Sequence, residues 1–142
     1  MPSTDHDRQH EALDEPECLR LLGTTAIGRV AYTEAALPAI RPVSYTLRDG
    51  AVVIPTNADS PLALALRGAV VAFEADSYDP AARTGWSVTV VGPSWVVTAG
   101  PTVIPGTCFI HVLVGLVRGW RTTVMTPSAA AVQPIDDTSF RA

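Results

Sequence analysis

The chain has 142 residues, 47% of them hydrophobic and 17% charged, with a formal net charge of -4. That length suits one domain, and the apolar share excludes disorder through the middle of the chain. The acidic balance gives no electrostatic reason to expect nucleic acid or an anionic membrane as partner, and no segment approaches the roughly 20 apolar residues of a membrane-spanning helix.

Residues 1–12 read as a mobile polar arm without the apolar stretch of a secretion signal, so a cytoplasmic protein is expected. Asp14 then precedes EPECLRLL, with Glu17 three residues on and Pro16 in the first turn. This is N-cap spacing, and it predicts a short helix over 14–23 with Cys18, Leu19, Leu21 and Leu22 as its apolar stripe and Gly23 as its stop. From Ala26 to Thr33 the chain alternates, with Gly28, Val30 and Tyr32 on one face and Ile27, Arg29 and Ala31 on the other. A turn at 34–37 leads into a second strand, Pro38–Leu47. Asp49-Gly50 is hairpin-turn chemistry, and Ala51–Thr56 returns as a third strand. Asn57–Pro61 is helix-entry chemistry, with Asp59 or Ser60 as cap, Pro61 at the first helical position and Gly68 ending the short helix begun at Leu62.

Ala69–Asp76, Thr84–Thr98, Phe109–Val114 and Leu116–Thr123 read as further strands, and the long Thr84–Thr98 run counts as one strand or as two broken near Gly92-Pro93. Six or seven strands, two short helices and tight turns predict a mainly β, antiparallel barrel over 13–124. Residues 125–142 read as a flexible tail. Cys18 and Cys108 form no CxxC pair and are expected as free thiols.

No phosphate loop, GxGxxG, GxSxG or HExxH occurs. His6 and His10 lie in the polar arm, where nothing would hold a metal, so none is expected; His111 reads as a structural or surface histidine. More informative is Arg41-Pro42-Val43-Ser44 inside an apolar strand. Proline removes a ladder donor and marks an edge or bulge. Arg41 and Val43 share a face, where the guanidinium either grips a phosphate or snorkels at a barrel rim. Thr56 and Ser60 bring hydroxyls to a helix entry, which suits an anion or simple capping. Trp86, beside Ser87, either flanks a cofactor ring or plugs the barrel end.

The order of segments is more specific than any one of them. ECLRLL, IGRVAYT, LPAIRPVSYTL and LRGAVVAFEAD…TGWSVTV, followed by CFIHVLVGLVRGWRT, resemble the pyridoxamine 5′-phosphate oxidase-like split barrels of actinobacteria, over residues 13–98 and again at the last strands. The resemblance implies a homodimer with a cofactor at its interface: FMN first, the deazaflavin F420 second, haem a distant third. It implies that Arg41, Pro42, Val43 and Ser44 run beside the ring. Thr56 and Ser60 would approach the phosphate, with Arg41 or Arg67 as the cation where the family's lysine is replaced, and Trp86 and Ser87 would form the other rim. Two departures stand out. Pro61 occupies a position where the family often has lysine, and the segment between Thr98 and Cys108 is short where relatives usually carry a helical insertion. Two functions follow as expectations: a flavin- or deazaflavin-dependent oxidoreductase of unread substrate, or a non-catalytic cofactor-binding or carrier dimer that has lost or weakened flavin binding.

Overall fold

A computed structural model describes residues 10–123; the expected tail at 125–142, and residues 1–9 of the expected arm, lie outside the described residues. Nine strands and two helices are formed within that span. The first element, β1 (His10–Leu13), occupies the end of what reads as arm and pairs antiparallel with the last strand, β9 (Leu116–Thr123). Its sequence HEAL lacks an alternating apolar face, which is why the pattern did not reveal it. Helix α1 (Glu15–Leu22) starts as expected: the Asp14 carboxylate accepts the Glu17 N–H at 2.9 Å. Cys18, Leu21 and Leu22 are buried beneath it. A Cβ on Gly119 would strike the Cys18 sulfur, so this glycine lets α1 settle on β9.

The expected hairpins follow as β2 (Ile27–Glu34) with β3 (Leu37–Ser44), and β4 (Thr46–Arg48) with β5 (Ala51–Asn57). The long second strand of the sequence reading is in fact two, broken at Tyr45. That side chain is drawn into the core, where its hydroxyl donates to the Leu22 carbonyl at 2.6 Å and its ring meets Phe73 edge-on. After α2 (Pro61–Ala65) come β6 (Val70–Asp79), β7 (Thr84–Val97) and β8 (Thr107–Leu113). All pairings are antiparallel, in the order β3-β2-β6-β7-β8-β5-β4, with β9 also on β7 and no closing bond between the ends. The split antiparallel barrel expected from the sequence is therefore the fold.

β7 is one strand, and Gly92-Pro93 is the place where its neighbour changes. Residues 84–91 pair with β9, whereas 94–97 pair with β8. The β8–β9 turn passes directly over that point. A Cβ on Gly92 would collide with the Leu113 carbonyl oxygen, and one on Gly115 would lie 2.8 Å from the Val91 carbonyl. The two halves of the sheet thus fold over each other around Val30, Phe73, Val88 and Val90 from one side and Val52, Ile54, Ile110 and Val112 from the other, all fully buried.

Gly92→Ala forces backbone against backbone and is expected to cost about 1–3 kcal/mol or more, the range of overpacked cores. Urea unfolding of the variant checks this, and an unchanged midpoint would show that the turn moves aside freely.

Candidate functional site

β3 is bonded to β2 on one side only, and across its free edge lie the end of β5 and the start of α2. Between them is a cleft of about 260 Å³ lined by Arg41, Pro42, Val43 and Ser44, by Ile54, Pro55 and Thr56, and by Ser60 and Leu62. Six of the nine residues proposed from sequence therefore share one hollow. Pro38 and Pro42 both fall on this edge strand, where a missing donor costs least. Arg41 and Val43 stand opposite buried Val30 and Gly28, so both project from the core side of the sheet. Arg41 is exposed and makes no ion pair or hydrogen bond among the described residues.

Of the two candidate caps, Ser60 is the one used. Its hydroxyl oxygen accepts the Ala63 N–H and the Thr56 hydroxyl, each at 3.1 Å, which leaves its own proton uncommitted. The helix entry offers fewer amides than the sequence reading assumed. Pro61 has none, the Ala63 N–H is spent on the cap, and Leu62 alone of the first turn is left uncommitted by these bonds. A helix of five residues also carries little dipole.

Ser94, missed in the sequence, holds α2 in place. It is buried on β7, with its hydroxyl 2.6 Å from the Leu66 carbonyl and 2.8 Å from that of Ala69, and its backbone bonds both Gly68 and Ala69. A serine in the inward phase of an apolar strand was the signal that could have found it. No aspartate, glutamate, histidine, cysteine or tyrosine lines the cleft. It can bind an anion beside a flat apolar group, but it holds no side chain suited to proton transfer at neutral pH.

Three expected residues lie elsewhere. Arg67 is exposed beyond α2, outside the cleft lining and close enough to Cys108 to pull its thiol pKa down against the larger rise from burial. Trp86 and Ser87, adjacent on β7, point to opposite faces. Trp86 packs against the core between Ser77 and Arg121, and Ser87 lies outward between Asp76 and Trp120. Strand alternation alone forbids both from lining one rim in a single chain.

The outward face of this half-sheet is patterned. A row of apolar residues crosses five strands, Ile40–Ala31–Ala72–Val91–Leu116. The next row contains Arg29, Glu74 and Arg118. Arg29 Nη1 lies 3.3 Å from both Glu74 and Asp76. Partial burial pushes the Glu74 carboxyl up to about 7 from 4.5, and Asp76 beside it pushes the same way, against the pull of Arg29. On the other half-sheet His111 stacks on Trp95, with ring centroids 5.1 Å apart. Among the described residues no three His, Cys, Asp or Glu side chains group to hold a metal, and no helix is long and apolar enough to cross a membrane.

Comparison with known proteins gives a consistent picture. The profile of a family described as pyridoxamine 5′-phosphate oxidase matches residues 14–102. An uncharacterized protein of Mycobacterium tuberculosis is 48% identical over 90 residues, which span 60% of this chain and 59% of that protein. Among solved structures, an FAD binding protein from Mycobacterium smegmatis is 29% identical with a TM-score of 0.68, covering 79% of this chain and 97% of its own. A putative pyridoxamine 5′-phosphate oxidase from Corynebacterium glutamicum shares the fold at 23% identity and a TM-score of 0.69, covering 84% of this chain and 98% of its own.

The Glu74 shift has a defined consequence for stability. The folded chain binds this proton more tightly than the unfolded chain, so its contribution is complete below about 4.5 and is lost as pH rises through about 7. Glu74→Gln is expected to remove that slope, raising the urea midpoint relative to wild type most on the alkaline side. A difference that does not change with pH across this window would refute it.

Proposed function

The chain belongs to the pyridoxamine 5′-phosphate oxidase family, and from that premise we propose that it is a flavin-binding oxidoreductase whose site is the cleft between β3 and α2. One observation carries the reading: a single hollow joins an unpaired guanidinium, a hydroxyl with an uncommitted proton and an apolar strand edge. Arg41 and Ser60 hold the phosphate, Thr56 orients the Ser60 hydroxyl, and Val43 lies along the ring. Bound flavin supplies hydride and single-electron transfer. The protein binds, orients and excludes water, in keeping with a cleft that lacks a general acid or base. FMN is the cofactor of choice, with deazaflavin second because it would present a similar ring and phosphate. A cytoplasmic location accords with this reading.

The cleft also supports a homodimer. At about 260 Å³ it falls below the roughly 300–1,000 Å³ of small-molecule sites, so one chain supplies part of a wall and a second copy the rest. The apolar row from Ile40 to Leu116 is the face assigned to that contact, its ends 73% and 50% exposed. Ser87 and Trp120 share this face, which would bring them to the partner's site.

A second reading is a carrier that binds flavin without turnover, favoured by Pro61 and the spent Ala63 amide. Flavin fluorescence on titration with FMN, FAD and F420 separates these. Saturable binding is expected, weakened roughly 10–100-fold by Arg41→Ala, the worth of a hydrogen bond to a charged group. No binding of any of the three would overturn the site, and binding without turnover by a reductant and a panel of acceptors would favour the carrier.

Sedimentation tests the dimer. Leu116→Glu and Ile40→Glu are each expected to give monomers with weaker FMN binding. A dimer that survives both substitutions would exclude this face.

A further inference from the structure

The second half-sheet carries a feature that the flavin reading leaves unused. β4, β5, β8 and the end of β7 present an outward row, Thr46–Val53–His111–Trp95, in direct register. The short segment 99–103 crosses over this face without sealing it, leaving a cleft of about 400 Å³. Thr46, Arg48, Val53, Val97, Phe109 and His111 line it together with that segment. The volume lies within the range of small-molecule sites.

Three observations define what it would take. Valines and Phe109 make the walls apolar, and the His111 ring is held nearly parallel to Trp95, at 15°, which gives the face a flat aromatic edge. The cleft has a cation and no anion. Arg48 makes no ion pair or hydrogen bond among the described residues, and no aspartate or glutamate lines the cleft, although the chain as a whole is acidic. Finally, His111 Nδ1 is buried without a hydrogen-bond partner, and its Nε2 is neither buried nor bonded among the described residues. Such an arrangement, with apolar walls, a few convergent polar groups and an unsatisfied one, is what small-molecule sites present.

We propose that this cleft is a second binding site, for a small aromatic carboxylate, with the ring between Phe109 and the His111–Trp95 pair and the carboxylate on Arg48. The site shares none of Arg41, Thr56 or Ser60, so it stands or falls independently of flavin binding.

The test uses the full chain labelled with 5-fluorotryptophan and 2-naphthoate as the ligand actually added. The chain has three tryptophans, so fluorine NMR gives three resolvable signals, with Trp95→Phe assigning one. Naphthoate is expected to shift the Trp95 signal saturably, leaving Trp86 and Trp120 in place. The uncharged 2-naphthalenemethanol is expected to bind at least about tenfold more weakly, and Arg48→Gln to weaken naphthoate by a similar factor while sparing the alcohol, as loss of one charge-assisted contact predicts. The proposal is overturned if no saturable Trp95 shift appears up to the solubility limit. Equal binding of acid and alcohol, or indifference of the acid to Arg48→Gln, overturns it as well.

Discussion

The structure depends on one close approach, the backbone of Gly92 under the Leu113 carbonyl. β7 serves two half-sheets in succession, and a strand can change neighbours only where one neighbour leaves as the other arrives. β9 begins beside Val91 and β8 ends beside Ser94, so the turn joining them must cross β7 in the two residues between. Side chains on both backbones would hold them apart. Glycine at 92 and at 115 removes that spacing, and the turn wedges the sheet into a fold. The core residues of both halves can then meet, which supplies the main driving force at about 1.5–3 kcal/mol for each large aliphatic side chain buried.

The same fold explains why there is a cleft. A sheet bent over at β7 brings its two ends, β3 and the β4–β5 hairpin, toward each other without bonding them. Between them the chain changes partner at Tyr45: its N–H still bonds the Ala26 carbonyl beside β2, its side chain packs inward onto Leu22 and Phe73, and from Thr46 the chain runs along β5. The gap that remains is floored by Ile54 and Leu62 and edged by Arg41 and Ser60. Ser94 fixes the far wall by tying the exit of α2 to β7, so the cleft is set by the strand that bends the sheet as well as by the strands that border it.

Much of this was legible in the residues. Alternation put Gly28, Val30 and Tyr32 on one face, Asp-Gly placed a hairpin, and Pro42 in LPAIRPVS marked an edge or a bulge. These signals work because each is a local preference that the fold does not oppose. Where the reading failed, a long-range term overrode the local one. HEAL becomes a strand because β9 offers it a free edge, and the Pro38–Leu47 run is split because the chain changes partner at Tyr45, from β2 to β5. At Gly92-Pro93 the sequence leaves one strand or two open because the cue marks a bend, and only the partner strands show that β7 is one strand and the bend a change of neighbour. Trp86 and Ser87 were placed in one site with Arg41, but alternation sends them to opposite sides of the sheet. Only a second copy could return one of them to a cleft.

That last point links the small cleft to the exposed apolar row. An edge strand with unpaired backbone groups invites pairing by other chains unless it is blunted. β3 carries Pro38 and Pro42, together with Arg41 on its core side, and these oppose the addition of a further strand. They do not protect its outward face, where Ile40 is 73% exposed and begins the row that ends at Leu116. A chain built to stay alone would place charge there, as it does one row away with Arg29, Glu74 and Arg118. The edge is defended against strand addition while the face beside it is left apolar, and that combination suits face-to-face association. Under the proposed reading, such a contact would cover the row and close the cleft at once, so that cofactor binding and assembly depend on the same surface.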